Sequence, residues 1–290
     1  MNHELTLGET HIVPKQEKQI RIQEYAVGIF NTCSTRSAIK KAIKKGFIKV
    51  DDEVVSTAKF ISGGETITLF QSEEKKGIKA LKLSLEVVFE DDFLAIINKP
   101  AGILVSGNEF KTITNALVQN LQKSTETDAV KPQPTHRLDY PTTGLLLIGK
   151  TSSSIIALNR LFENKEIQKK YIAITLGKMK SFGTIDFTID EKESLSHFKV
   201  LKTVTSERFK FLNLVQLVPK TGRRHQLRKH LSAINNPILG DKEYGIESLI
   251  LNGKGLYLHA SSLEFVHPFT KEKINLISEL PKKFGKIFSE

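Results

Sequence analysis

The run Leu145-Leu146-Leu147-Ile148 follows "HRLDYPTTG" without a polar break, and no other feature constrains the fold as much. Four consecutive apolar residues bounded by a turn read as a buried strand. Ahead of it, Pro141 fixes a backbone torsion, Thr142 and Thr143 favour extended or turn structure, and Gly144 relaxes the chain. Asp139 therefore sits on a loop that feeds a rigid strand, which holds the backbone while leaving the carboxylate accessible. Two readings fit this placement. In one, Asp139 caps the turn or pairs with Arg137; in the other, it is a reactive carboxylate.

The chain has 290 residues, enough for one large domain or for a small one joined to a larger one. Hydrophobic residues make up 39% and charged residues 26%, as in an ordinary globular protein. A formal charge of +11 favours a polyanionic partner, with nucleic acid ahead of a membrane surface. No apolar run approaches the roughly 20 residues of a membrane span, and the first residues lack a signal-peptide core. These features predict a soluble, non-exported, cytoplasmic protein. The single cysteine, Cys33, excludes an internal disulfide and a cysteine-based zinc site within one chain.

Along the chain, "SAIKKAIKKG" (37–46) places Ile39 and Ile43 on one helical face and ends at Gly46. Lys40, Lys41, Lys44 and Lys45 lie away from that face, and no acid on the helix is spaced to pair with them. With Arg36, they predict a phosphate-binding surface rather than a merely solvated one. "FIKVDDEVVS" and "FISGGETITLF" read as short strands and turns, so a small helix-and-sheet unit is expected over residues 15–71. The charged stretch from 72 to 80 reads as a linker, and residues 81–290 as a second domain of short strands and helices. In "SSSIIALNRLFEN", Ser152 or Ser153 is the expected cap, and Ile155, Leu158 and Phe162 the buried stripe.

Two other stretches carry chemistry. In "TGRRHQLRKHLSAI", Leu227, Leu231 and Ile234 follow helical spacing, with Arg224 and Arg228 four apart on an adjoining flank. Arginine grips a carboxylate through two parallel hydrogen bonds, so Arg228 is a candidate partner for Asp139, the alternative being a solvated basic helix. His225 and His230 project to different sides of that helix, which argues against a metal site. In "IQKKYIAITLG", Tyr171 opens an apolar strand. There it serves either as core with a hydroxyl at the rim, or as a ring stacked on a base with a hydroxyl that moves a proton.

Together, "NKPAG" (98–102), "HRLDYPTTGLLL" (136–147), "KKYIA" (169–173), "TGRRHQLRKH" (221–230), "GDKEYG" (240–245) and "LHA" (258–260) resemble the RluA-type family of RNA pseudouridine synthases. Residues 20–70 more loosely resemble the alpha-L RNA-binding module, with Ile22-Gln23 where Leu-Asp is usual. The resemblance implies an α+β fold: a mixed, mainly antiparallel catalytic sheet with flanking helices, plus the small N-terminal RNA-binding domain. It also implies isomerisation of uridine to pseudouridine, with no cofactor and no metal. The expected substrate is large-subunit ribosomal RNA, with transfer RNA second, and a monomer with no membrane partner is expected.

Residue by residue, Asp139 matches the family's catalytic aspartate, Arg228 the arginine paired with it, and Tyr171 the tyrosine against the base, which makes Tyr171 the expected group for proton removal. Arg137 matches the residue that fills the stack when the target nucleotide is extruded. His136 belongs to the same substrate-binding segment, while Leu227 and Leu258 would be apolar walls. Tyr140-Pro141 replaces the usual Arg-Asp, a departure that bears on RNA preference, and Asn235 stands where glycine is common.

Two rival classes are a non-catalytic RNA-binding protein and a carboxylate hydrolase. The first leaves the joint presence of Asp139, Tyr171 and Arg228 without a reason. The second needs a paired carboxylate, and Asp190, Glu191 and Glu193 read as a solvated loop.

Overall fold

In the computed structural model, which describes residues 5–30, 32–33, 35–72 and 81–288, the chain divides into two units, Met1–Lys79 and Ala80–Glu290. The expected linker, 72–80, lies outside the described residues except for Ser72, which ends a strand.

The first unit contains β1 (Leu5–Ile12), β2 (Ile20–Arg21), α1 (Ile22–Tyr25), α2 (Arg36–Lys44), β3 (Ile48–Val50), β4 (Glu53–Val54), β5 (Phe60–Ile61) and β6 (Thr66–Ser72). Its main sheet runs β1-β6-β3-β4. Thr35 caps α2 by accepting the Ala38 N–H, and Ile39, Ala42 and Ile43 bury the inner face. The acidic turn between β3 and β4 uses left-handed Asp51 and Asp52, as a two-residue hairpin requires. β1 lies ahead of residue 15, where the sequence placed the start of this unit. Leu7 and Ile12 are exposed, so β1 is held by backbone pairing to β6 and carries no apolar pattern to announce it.

The second unit contains β7 (Glu86–Glu90), β8 (Leu94–Lys99), α3 (Ile113–Asn120), β9 (Ala129–Pro134), β10 (Thr143–Thr151), α4 (Ser152–Glu163), β11 (Gln168–Leu176), β12 (Phe182–Ile185), β13 (Ser196–Ser206), β14 (Lys210–Pro219), α5 (Gln226–Ala233), β15 (Leu258–Val266), β16 (Lys273–Ile277) and α6 (Lys282–Phe288). Its sheet runs β12-β13-β14-β11-β15-β10-β8-β7, with β16 beside β15 and β9 beside β10. All pairs are antiparallel except β10 with β15, which meet in parallel at Thr143–His259 and Gly144–Ala260. This is the mixed, mainly antiparallel α+β architecture.

The period of two along β10 explains its apolar run. Leu145 and Leu147 pack with Leu158 of α4, while Leu146 and Ile148 pack with Ile113, Ala116 and Leu117 of α3. All four side chains are fully buried, each stabilising by about 2 kcal/mol. α4 is capped one residue earlier than expected. Thr151, the last residue of β10, forms a capping box with Ser154, so Ser152 and Ser153 are already helical. Of the expected stripe, Leu158 is fully buried and Ile155 and Phe162 half-buried.

Gly144 has φ +112°, and any Cβ there would fall on the Ala260 carbonyl. Glycine thus permits the close parallel contact of β10 and β15. β11 lies on the other side of β15, with Tyr171 opposite Ala260 and Ala173 opposite Leu258. The centre of the sheet therefore carries the Asp139 loop, Leu258 and Tyr171 to one place.

Candidate active site

Asp139 sits in a turn closed by the Thr142 N–H, which donates to the Asp139 carbonyl at 3.0 Å. Beneath it lies Lys99, the last residue of β8, with no exposed surface. Its ammonium donates to the carbonyls of Pro100 (3.0 Å), Tyr140 (3.3 Å) and Thr142 (2.9 Å). Burial pushes Lys99 down to about 8, with the Asp139 charge acting against that shift. The Gly102 N–H also donates to the Tyr140 carbonyl, at 2.9 Å. The Tyr140-Pro141 loop is thus pinned by its backbone, and Tyr140 is 54% exposed.

His136 faces the strand. Its Nε2 accepts the Leu147 N–H at 3.0 Å, and its ring packs on Phe162 with centroids 4.9 Å apart. Burial, helped by the Lys169 charge, pushes it down to about 3, so the imidazole is neutral. Arg137 is exposed and lines the cleft described next; it makes no ion pair with Asp139.

Asp139 opens onto a cleft of about 770 Å³ whose lining includes Arg137, Tyr171, His225, Leu227, Arg228 and Leu258, a size within the range of small-ligand sites. Tyr171 is half-buried. Burial and, second, the Asp139 charge push its hydroxyl well above the ordinary tyrosine range, which keeps it a phenol. Leu227 and Leu258 are buried and supply apolar wall.

Arg228 corrects the sequence reading in two respects. α5 begins at Gln226, after a left-handed His225 with φ 55°, so Arg224 precedes the helix and shares no flank of it with Arg228. Arg228 is also buried, not on a cationic edge. Its Nε–H and Nη2–H donate to the two Asp241 carboxylate oxygens at 2.7 and 2.8 Å, and Nη2–H also donates to Glu243 Oε2 at 3.2 Å. Only Nη1 faces Asp139, 3.7 Å from Oδ2. The two-pronged grip thus falls on Asp241, and Asp139 receives the remaining arm. Burial alone would lower the Arg228 pKa, but the Asp241 hydrogen bonds and charge outweigh it and raise it.

Asp241, within "GDKEYG", is the main site residue that spacing in the sequence does not reveal. Gly240 and Gly245 let the backbone come close: a Cβ at Gly240 would fall on the Gly255 carbonyl, and one at Gly245 on the Asp241 carbonyl. Asp241 Oδ1 also accepts the Glu243 and Tyr244 N–H groups at 3.0 and 3.1 Å. Asn235 adopts φ 60°, in keeping with its place at a glycine position.

The sequence offers His225 only a metal-ligand reading, and the structure gives it another place. Its Nε2 lies 3.7 Å from Asp139 Oδ1, whereas His230 is buried against Ser194, 2.7 Å away. Among the described residues no group of three His, Cys, Asp or Glu side chains is arranged to hold a metal ion. In the first unit, Lys40, Lys41, Lys44 and Lys45 are exposed. Arg36 is tied to Glu24 of α1 at 2.7 Å, a pairing across helices that spacing within one helix could not reveal.

A family model described as RNA pseudouridylate synthase matches residues 93–233. Ribosomal large subunit pseudouridine synthase D of Buchnera aphidicola subsp. Schizaphis graminum (strain Sg) is 33% identical over 281 residues, covering 86% of this chain and 87% of that protein. The uncharacterized RNA pseudouridine synthase YhcT of Bacillus subtilis (strain 168) is 34% identical over 253 residues, 81% of each chain. Among solved structures, human RNA pseudouridylate synthase domain containing 4 matches with a TM-score of 0.56 at 28% identity, covering 69% of this chain and 90% of that one. The chain belongs to the RNA pseudouridine synthases, and within them to the RluA type. It is an isomerase acting on uridine in RNA, which displaces both rival classes. No helix among the described residues is long and apolar enough to cross a membrane.

Proposed function

We propose that this enzyme forms pseudouridine in large-subunit ribosomal RNA in the cytoplasm, with Asp139 as the group that acts on the ribose. The target is supported by relatives named ribosomal large subunit pseudouridine synthase, such as those of Buchnera aphidicola and Vibrio vulnificus. The observation that carries the catalytic assignment is the setting of Asp139. It stands on a backbone-clamped loop, faces a cleft, and has Arg228 Nη1 and His225 Nε2 each 3.7 Å from its carboxylate.

The reaction requires the base to leave C1′, turn within a closed pocket, and rejoin through C5. Asp139 acts at the sugar, either by attack or by assisting elimination. Arg228, immobilised by Asp241, presents one N–H arm to that carboxylate without having to reorganise. Tyr171 lays its ring and phenolic O–H against the base, and Leu227 and Leu258 exclude water. Arg137, on the rim, fills the stack left by the extruded nucleotide. His136 serves the site from behind by fixing the loop to β10. The lysine face of α2 supplies affinity for RNA phosphates, with Arg36 held back by Glu24.

Pseudouridine mapping of ribosomal and transfer RNA from a gene-deletion strain and its parent tests this reading. One or more large-subunit positions should disappear and return with the wild-type gene but not with Asp139→Asn. Loss confined to transfer RNA would overturn the proposed target.

A further inference from the structure

Isomerisation exchanges protons: C5 of the base loses one and N1 gains one. The closed cleft therefore needs a base and a way out. Tyr171 is a poor acceptor because burial and the Asp139 charge hold it as a phenol. His225 is placed for the task. It precedes α5 in a left-handed conformation without capping the helix through its side chain, and its ring lines the cleft.

The ring's hydrogen can be located from its neighbours. His225 Nδ1 lies 2.9 Å from the Tyr244 hydroxyl. Nδ1 also lies 3.4 Å from Glu243 Oε1, and Tyr244 and Glu243 act on each other: the tyrosine lowers the carboxylate, while burial and, second, Glu243 push Tyr244 up to about 12. An ionised carboxylate can only accept, so Nδ1, between Glu243 and the Tyr244 hydroxyl, carries the hydrogen. Nε2 then holds a lone pair toward the cleft, 3.7 Å from Asp139 Oδ1. Asp139 and Glu243 face the ring with negative charge, Arg228 lies beside both carboxylates, Tyr244 is neutral, and Arg224 is the adjacent residue. Glu243 is half-exposed and opens the chain to solvent.

We propose that His225 accepts the C5 proton and passes one on through the Tyr244 hydroxyl to Glu243 and the solvent. This rests on the reading of Asp139 as the group that acts on the ribose. Once C5 is bonded to C1′, the C5–H bond breaks and its electron pair becomes the C5=C6 double bond. The N1=C6 pair moves onto N1, which takes a proton from water, while the C5 proton goes to His225 Nε2. The Nδ1 proton then moves to the Tyr244 oxygen as the Tyr244 proton moves to Glu243. The half-exposed Glu243 releases it, and the ring recovers its starting tautomer by exchange with water after product leaves.

The test is single-turnover release of tritium from large-subunit ribosomal RNA transcribed with uridine tritiated at C5. His225→Gln should slow release by about 100-fold, the scale of general-base catalysis, without weakening RNA binding. It should also enlarge the isotope effect of deuterium at C5. Tyr244→Phe keeps the ring that lies 4.8 Å from the Arg228 guanidinium but cuts the relay, and should move the same readouts in the same direction. If both variants release tritium at the wild-type rate with an unchanged isotope effect, the relay is wrong. If His225→Gln fails to fold, Tyr244→Phe alone decides. Failure of the Asp139 reading looks different: Asp139→Asn would then stay active.

Discussion

Asp241→Asn separates the role of Asp241 from that of Asp139. The Arg228–Asp241 pair is nearly inaccessible, with side chains 5% and 1% exposed, and joined by two short hydrogen bonds. Removing one partner of a buried pair typically costs about 3–5 kcal/mol, because the other charge is left without compensation. Here Glu243, 3.2 Å from Arg228 Nη2 and half-exposed, offsets part of that loss, so the expected cost is about 3 kcal/mol. For a unit of this size that lowers Tm by roughly 6–12 °C. The freed guanidinium would also lose its fixed orientation toward Asp139, so single-turnover rates should fall with stability. Asp139→Asn removes the 3.7 Å contacts of a carboxylate 17% exposed and its charge near buried Lys99, but Arg228 keeps its Asp241 partner, so it should destabilise less than Asp241→Asn. Thermal unfolding and tritium release on both variants decide the matter. A stable, active Asp241→Asn beside a strongly destabilised Asp139→Asn would refute the reasoning, because Asp139 would then be the true anchor of Arg228.

Two further outcomes follow from the same geometry. Burial pushes His136 down to about 3 and His259 down to about 4, below the ordinary value near 6.5. As pH falls below 6.5 the unfolded chain takes up these protons before the folded one does, so stability present above pH 6.5 is lost toward pH 3–4, at up to about 1.4 kcal/mol per pH unit for each histidine. Chemical unfolding from pH 7 to 4 should show this loss beginning above the carboxylate range, with a shallower slope in His136→Gln; an unchanged slope would remove His136 from the account. Replacing Lys40, Lys41, Lys44 and Lys45 by Gln should weaken RNA binding at low salt and flatten the dependence of log Kd on log salt by up to about four charges. An unchanged slope would show that this face does not meet phosphate.

The loop-to-strand mounting of Asp139 was legible because a turn followed by four apolar residues leaves few alternatives, and β10 buries those residues on two faces. Tyr171 was legible as the opening of an apolar strand. The proximity of Asp139 to Tyr171 came from motif resemblance, since it depends on the parallel β10–β15 contact, and no local pattern encodes a pairing between residues 143 and 259. Arg228 was recognised, but its main partner was not. Spacing reports which face of a helix a residue occupies, whereas Asp241 reaches Arg228 from a glycine-framed turn beyond the helix end. Lys99 was hidden for a similar reason: a lysine at a strand end reads as solvated, and only the folded loop supplies the three carbonyls that justify its burial. His225 needed its positive φ to be seen, and that was not visible in "GRRHQLR".

The central claim is that the Asp139 carboxylate performs the step at the ribose. Tritium release from C5-tritiated large-subunit ribosomal RNA by Asp139→Asn, measured in a single turnover with the variant in excess, tests it most directly. No release above the protein-free control is expected, while RNA binding matches the wild type. Release at the wild-type rate would contradict it.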